Sequence, residues 1–141
     1  MAIKMRVLCA TGKKKLRNIA NEIKVKKELA FNAVDYKMPP SYPCDKERIV
    51  VLVVTASGKI SDTLRLFCAE LNKTRAQNVA LMIDGDEKAA NLIKDTLKEA
   101  GTNVIDEVLY VKGGLPFMGS VKPAEKEEVM AWIERVIANL K

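Results

Sequence analysis

Residues 49–55 read Ile-Val-Val-Leu-Val-Val-Thr, a run with no charge in which nearly every side chain is branched at Cβ. Such residues crowd a helix and suit a pleated strand. A half-exposed strand alternates apolar and polar residues. This one does not alternate, so both of its faces must be covered. A strand covered on both faces belongs inside a sheet, with helices above and below it. The rest of the chain has to supply those helices and the partner strands.

Met5 to Thr11 (MRVLCAT) is a second mostly apolar run, closed by Gly12. Leu16, Ile19, Ala20 and Ile23 follow at i, i+3, i+4 and i+7, the stripe of a helix with one buried face. Leu29 to Val34 predicts a short strand, and the proline-bearing stretch DYKMPPSYPCDKER after it predicts a loop. Ser61 or Asp62 is placed to cap a helix that buries Leu64, Phe67, Cys68 and Leu71. Asn78 to Ile83 predicts another strand and DGDE (Asp84–Glu87) a turn. Ile93, Leu97 and Ala100 then mark a helix that Gly101 can end. VIDEVLYV (Val104 to Val111) predicts a fifth strand. In the last helix Val129, Trp132, Ile133, Val136, Ile137 and Leu140 share one face, with Pro123 at its start. Trp132 is thereby assigned to the core.

Strands separated by helices predict the α/β class, here a doubly wound, five-stranded parallel sheet forming one domain over residues 1–141. Ligands of such sheets bind beyond the carboxyl ends of the strands. The segments that fall there are Thr11–Leu16, Thr55–Ser61, Asp84–Glu87 and Gly113–Gly119.

Composition removes several functions. Histidine is absent, so triads and histidine-based zinc sites cannot be assembled, and no nucleophile–base pair suggests a hydrolase or transferase. Cys9, Cys44 and Cys68 share no ligand spacing and read as buried thiols. The amino terminus does not have the pattern of a signal peptide, and no apolar run reaches membrane-spanning length. The expectation is a cytoplasmic protein with no membrane role. A net charge of +6 favours anionic partners. Nucleic acid is disfavoured as that partner, because the clusters Lys13–Arg17 and Lys24–Lys27 lack interleaved aromatics and any recognition motif.

The loop TGKKKL (Thr11–Leu16) leads into a helix, whose first N–H groups and dipole attract an anion. Its lysines oppose that dipole and add no helix stability. Phosphate or another anion and an ordinary solvated loop both remain open for this segment. It is not a P-loop, which needs a four-residue spacer and a Lys-Ser/Thr ending.

The order of elements, with LYVKGGLPFMGS leading into the last helix, resembles the short-chain flavodoxins. The resemblance implies a three-layer sandwich with strand order 2-1-3-4-5, bound flavin mononucleotide (FMN), and electron transfer to a protein partner. The family's phosphate loop has the form Ser/Thr-x-Thr-Gly-x-Thr, followed by Ile-Ala. Matching that pair to Ile19 and Ala20 leaves Thr11 as the single hydroxyl, with Lys13, Lys14 and Leu16 on the central threonine, glycine and last threonine positions. On this resemblance Thr11, Gly12, Lys13, Lys14, Lys15 and Leu16 would hold the phosphate. Ala56, Ser57 and Gly58, with Asp84, Gly85 and Asp86, would face the ring. Neither ring-side loop carries an aromatic residue; Tyr36 and Tyr42 of the proline-bearing loop and Phe117 of the last crossover are the candidates to reach over, and each also reads as a local packing anchor. The acidic turn reads as a helix start before it reads as a magnesium site. The other reading of the chain is a flavodoxin-like binding or regulatory module without a cofactor.

Overall fold

A computed structural model describes residues 5–27, 30–34, 47–115 and 117–141. The elements run β1 (Met5–Ala10), α1 (Lys14–Lys27), β2 (Ala30–Val34), β3 (Ile49–Ala56), α2 (Asp62–Ala69), β4 (Asn78–Gly85), α3 (Glu87–Ala100), β5 (Asn103–Val104), β6 (Leu109–Tyr110) and α4 (Pro123–Ala138). All strand pairs are parallel. β1 lies between β2 and β3, β3 pairs with β4, and β4 carries both β5 and β6. The prolines of the loop after β2, with Tyr36, Tyr42 and Cys44, lie outside the described residues.

β3 is buried on both faces, as its sequence requires. Every residue from Ile49 to Val54 is inaccessible to solvent. Val50, Leu52 and Val54 pack with Leu64, Phe67 and Cys68 of α2 and with Ala89, Ala90, Ile93 and Leu97 of α3. Ile49, Val51 and Val53 face the other layer, with Leu16, Ile19, Ala20 and Ile23 of α1 and Val129, Trp132, Ile133 and Val136 of α4. Each such Val, Leu, Ile or Phe side chain contributes roughly 1.5–3 kcal/mol on burial. The two layers thus fix the sheet between two helix pairs. No helix among the described residues is long and apolar enough to cross a membrane.

The helix ends follow the sequence signals. Ser61 rather than Asp62 is the α2 cap, its hydroxyl accepting the Leu64 N–H at 3.2 Å. Asp86 caps α3, and Gly101 closes that helix at φ 103°, a left-handed conformation that glycine takes without strain. Leu71 is buried just past the end of α2.

One expected strand is divided. The stretch 104–111 does not run as a single strand but appears as β5 and β6 on the same edge of β4. The ladder still reaches inward from both pieces, through Ile105 N–H to Val79 O and Val111 N–H to Ile83 O. The break falls at Asp106 and Glu107, which are exposed. Glu107 has other engagements: its carbonyl accepts the Trp132 indole N–H at 2.9 Å, and its carboxylate holds Arg135 in a two-pronged pair. That pairing keeps the Glu107 carboxyl below the usual carboxylate range.

Candidate functional site

The carboxyl ends of β1, β3 and β4 bring three of the four expected segments to one end of the sheet. A cavity of about 710 Å³ opens there. Ala10, Thr11 and Gly12 line it from β1, Thr55, Ala56 and Ser57 from β3, and Lys59 to Leu64 from the approach to α2. Its size suits a cofactor-sized ligand. Of the residues singled out in the sequence, Thr11, Gly12, Ala56 and Ser57 meet at this cavity. The three lysines, Leu16, Gly58 and the Asp84–Asp86 segment do not line it.

Thr11 is 3% exposed, and its hydroxyl works inside the protein. It accepts the Lys13 N–H at 3.1 Å and shares a 2.6 Å hydrogen bond with the Thr55 hydroxyl. The loops after β1 and β3 are therefore tied at their bases. Leu16 sends its side chain wholly into the core between α1 and α4, so only its backbone faces the loop.

The three lysines diverge. Lys13 pairs with Asp84 at the end of β4. Lys15 donates to the Lys112 carbonyl at 2.8 Å and to the Glu125 carboxylate at 2.5 Å, which holds the Glu125 carboxyl low. Lys14 remains exposed beside Gly119. A helix that begins with three cations and no acid in its first turn needs carboxylates from elsewhere, and Asp84 and Glu125 supply them. Glu125 and Asn18, whose amide donates to the Gly119 carbonyl at 2.8 Å, are site neighbours that the motif reading missed. The unfavourable lysine run was the one hint in the sequence that a carboxylate such as Glu125 is needed, and Asn18 had no signal.

On the far side of β3 a second tie forms. Asp86 accepts the Gly58 N–H at 3.0 Å, the Ser57 hydroxyl at 3.1 Å and the Ala89 N–H at 2.9 Å. The Gly58 N–H, then the Ala89 N–H, hold its carboxyl below the ordinary range. Gly85 lies so close to β3 that a Cβ there would stand 1.7 Å from the Ala56 carbonyl oxygen. Among the described residues no three His, Cys, Asp or Glu side chains come together as a metal site.

No protein-family model matches this sequence, and no curated protein matches it. Its structure, however, is similar over nearly the whole chain to flavodoxin 1 of Bacillus cereus in its oxidised form. The TM-score is 0.68 at 15% identity, covering 98% of this chain and 99% of that one. A short-chain flavodoxin associated with a bacterial microcompartment matches with a TM-score of 0.66 at 11% identity and full coverage of both chains. The fold is flavodoxin-like.

A flavodoxin-like fold raises the fit of FMN to these residues. The phosphate end fits. The geometry of α1 leaves the N–H groups of Lys14, Lys15 and Leu16 without an intrahelical acceptor, while Lys13 and Lys15 beside them are engaged by Asp84 and Glu125. The ring end fits less well as it stands. The Gly58 N–H, a donor a ring edge could use, is already bonded to Asp86, and neither loop offers an aromatic face. A ring entering between these loops would have to part the Asp86 contacts.

Proposed function

We propose that this chain binds FMN at the carboxyl end of its sheet and carries electrons to a protein partner. The observation that carries the reading is the meeting of the loops after β1 and β3 around one cavity, in a fold that matches two flavodoxins end to end. The strand order 2-1-3-4-5, with β5 and β6 sharing the last position, belongs to the same reading and is supported by the strand pairs.

In this reading the N–H groups at the start of α1 take the phosphate, with Gly12, Lys13, Lys14 and Lys15 around it. Thr11 sets the loop from beneath through Thr55 and the Lys13 N–H. Ala56, Ser57 and Gly58 border the ring on one side, and Asp84, Gly85 and Asp86 on the other. The bound flavin supplies the redox chemistry; the protein holds it, limits water around it and sets its potentials.

The test is a visible spectrum of the protein purified without refolding, then titration of the colourless fraction with FMN while following flavin fluorescence. Stoichiometric quenching with a dissociation constant near or below ~1 μM, about 8 kcal/mol, establishes the site. No colour and no quenching up to roughly tens of micromolar, or about 6 kcal/mol, overturns it and returns the chain to a flavodoxin-like binding or regulatory module without flavin.

A further inference from the structure

Four of the six large hydrophobic residues that stand exposed among the described residues fall between positions 110 and 118. Tyr110 is 48% exposed, Leu115 53%, Phe117 75% and Met118 53%. The last three lie on one loop between β6 and α4, closed by a Met118 N–H to Leu115 O hydrogen bond of 3.1 Å. An apolar group of this kind in contact with water marks a surface that another molecule covers.

The loop is seated at both ends. A Cβ on Gly113 would come within 2.6 Å of the Asp84 carboxylate and 2.7 Å of Lys13, so this glycine lies directly on that ion pair. At the other end the Gly119 carbonyl is held by Asn18. The apolar tip is thereby fixed relative to the cavity end of the sheet. Around it Lys14, Lys112 and Lys122 are exposed and make no ion pair among the described residues. Of the carboxylates nearby, Asp84 and Glu125 are held by Lys13 and Lys15, Lys122 also acts on Glu125, and Glu128 shares a surface hollow with Lys112.

We infer that the tip formed by Leu115, Phe117 and Met118, with its lysine collar, is the docking surface for a protein partner that presents an apolar recess with an acidic rim. Charge complementarity selects this occupant. A second copy of the chain would set lysine against lysine. The inference rests on the electron-carrier reading for why a partner approaches this end of the sheet, but the contact itself needs no flavin.

The test places a photoreactive benzoylphenylalanine at position 117, at 115, and at the control position 66 on α2, in the cells that make the protein. After illumination the adducts are identified by mass spectrometry. The expected result is one acidic protein linked from 117 and 115 and not from 66. Its yield should fall about tenfold when Lys112→Glu and Lys122→Glu are combined, the effect of reversing two rim charges. Circular dichroism melts confirm that each variant folds. An adduct with a basic protein, with lipid or with the chain itself overturns the inference, as does a yield indifferent to the charge reversal, or no adduct. FMN quenching without the adduct removes the docking surface alone. The adduct without FMN quenching leaves the docking surface and removes electron carriage.

Discussion

The family resemblance implies opposite ends of a flavin for Lys13 and Asp84, and in the structure they hold one another. Each side chain is about a fifth exposed, so the pair is part-buried but still within reach of solvent screening. Its effect on a ligand is larger in kind than in size, because it neutralises a cation beside the phosphate position and adds a carboxylate nearby. Asp84→Asn should therefore tighten FMN binding by about two- to fivefold, the equivalent of roughly 0.5–1 kcal/mol. Riboflavin, which lacks the phosphate, serves as the control and should change less than FMN. Weaker FMN binding by this variant would mean instead that Asp84 aims Lys13 at the phosphate. The pair also shows why the site was harder to read than the fold. Lys13 and Asp84 are 71 positions apart, Asn18 and Gly119 101, and Lys15 and Glu125 110. Nothing local in the sequence encodes such partners.

At the level of elements, local pattern was enough wherever burial alone decides. β3 could be read because a strand covered on both faces must be apolar throughout, and α4 because its buried face repeats with the helical period. The divided strand could not be read that way. VIDEVLYV has strand composition, but Trp132 and Arg135 on α4 draw Glu107 out of the ladder, and that contact is tertiary. Trp132→Phe keeps most of the buried ring and removes the indole N–H, leaving the Glu107 carbonyl without its donor. It should cost about 1–3 kcal/mol in urea unfolding and speed amide exchange between β5 and β6. An unchanged midpoint would mean that Glu107 is held by Arg135 alone. The junction of β3 and β4 makes a sharper demand. Gly85→Ala would drive a methyl group into the Ala56 carbonyl, and backbone cannot yield as a long side chain does. The expected loss is about 1–3 kcal/mol or more, also read from urea midpoints. A neutral result would show that the two strand ends part readily, as entry of a flavin ring between them requires.

For the whole molecule, the distribution of titrating groups sets how stability responds to pH. There is no histidine, and the resolved side-chain shifts all lead away from neutrality. Asp86, Glu107 and Glu125 are held below their ordinary values by N–H, guanidinium and ammonium donors. Between those depressed values and the unfolded value near pH ~4, the unfolded chain binds more protons, so stability rises with pH through that window. Their contribution is complete above it and is lost as the solution is acidified through the folded values. Cys9 and Cys68 act on the alkaline side. Burial pushes both thiols from 9.0 to about 12, so above pH 9.0 the unfolded chain releases protons that the folded one keeps. Stability should then fall as pH rises from there. Among the described residues no resolved shift carries a side chain into the range between the two edges, which predicts coincident urea midpoints at about pH 5.5, 6.5 and 7.5 and a decline on both sides. Cys9→Ser with Cys68→Ser separates the edges: the alkaline decline should flatten while the acid one stays. A slope across the neutral range in the parent chain would contradict this, because it requires a carboxylate or thiol shifted into the range that this composition otherwise leaves empty.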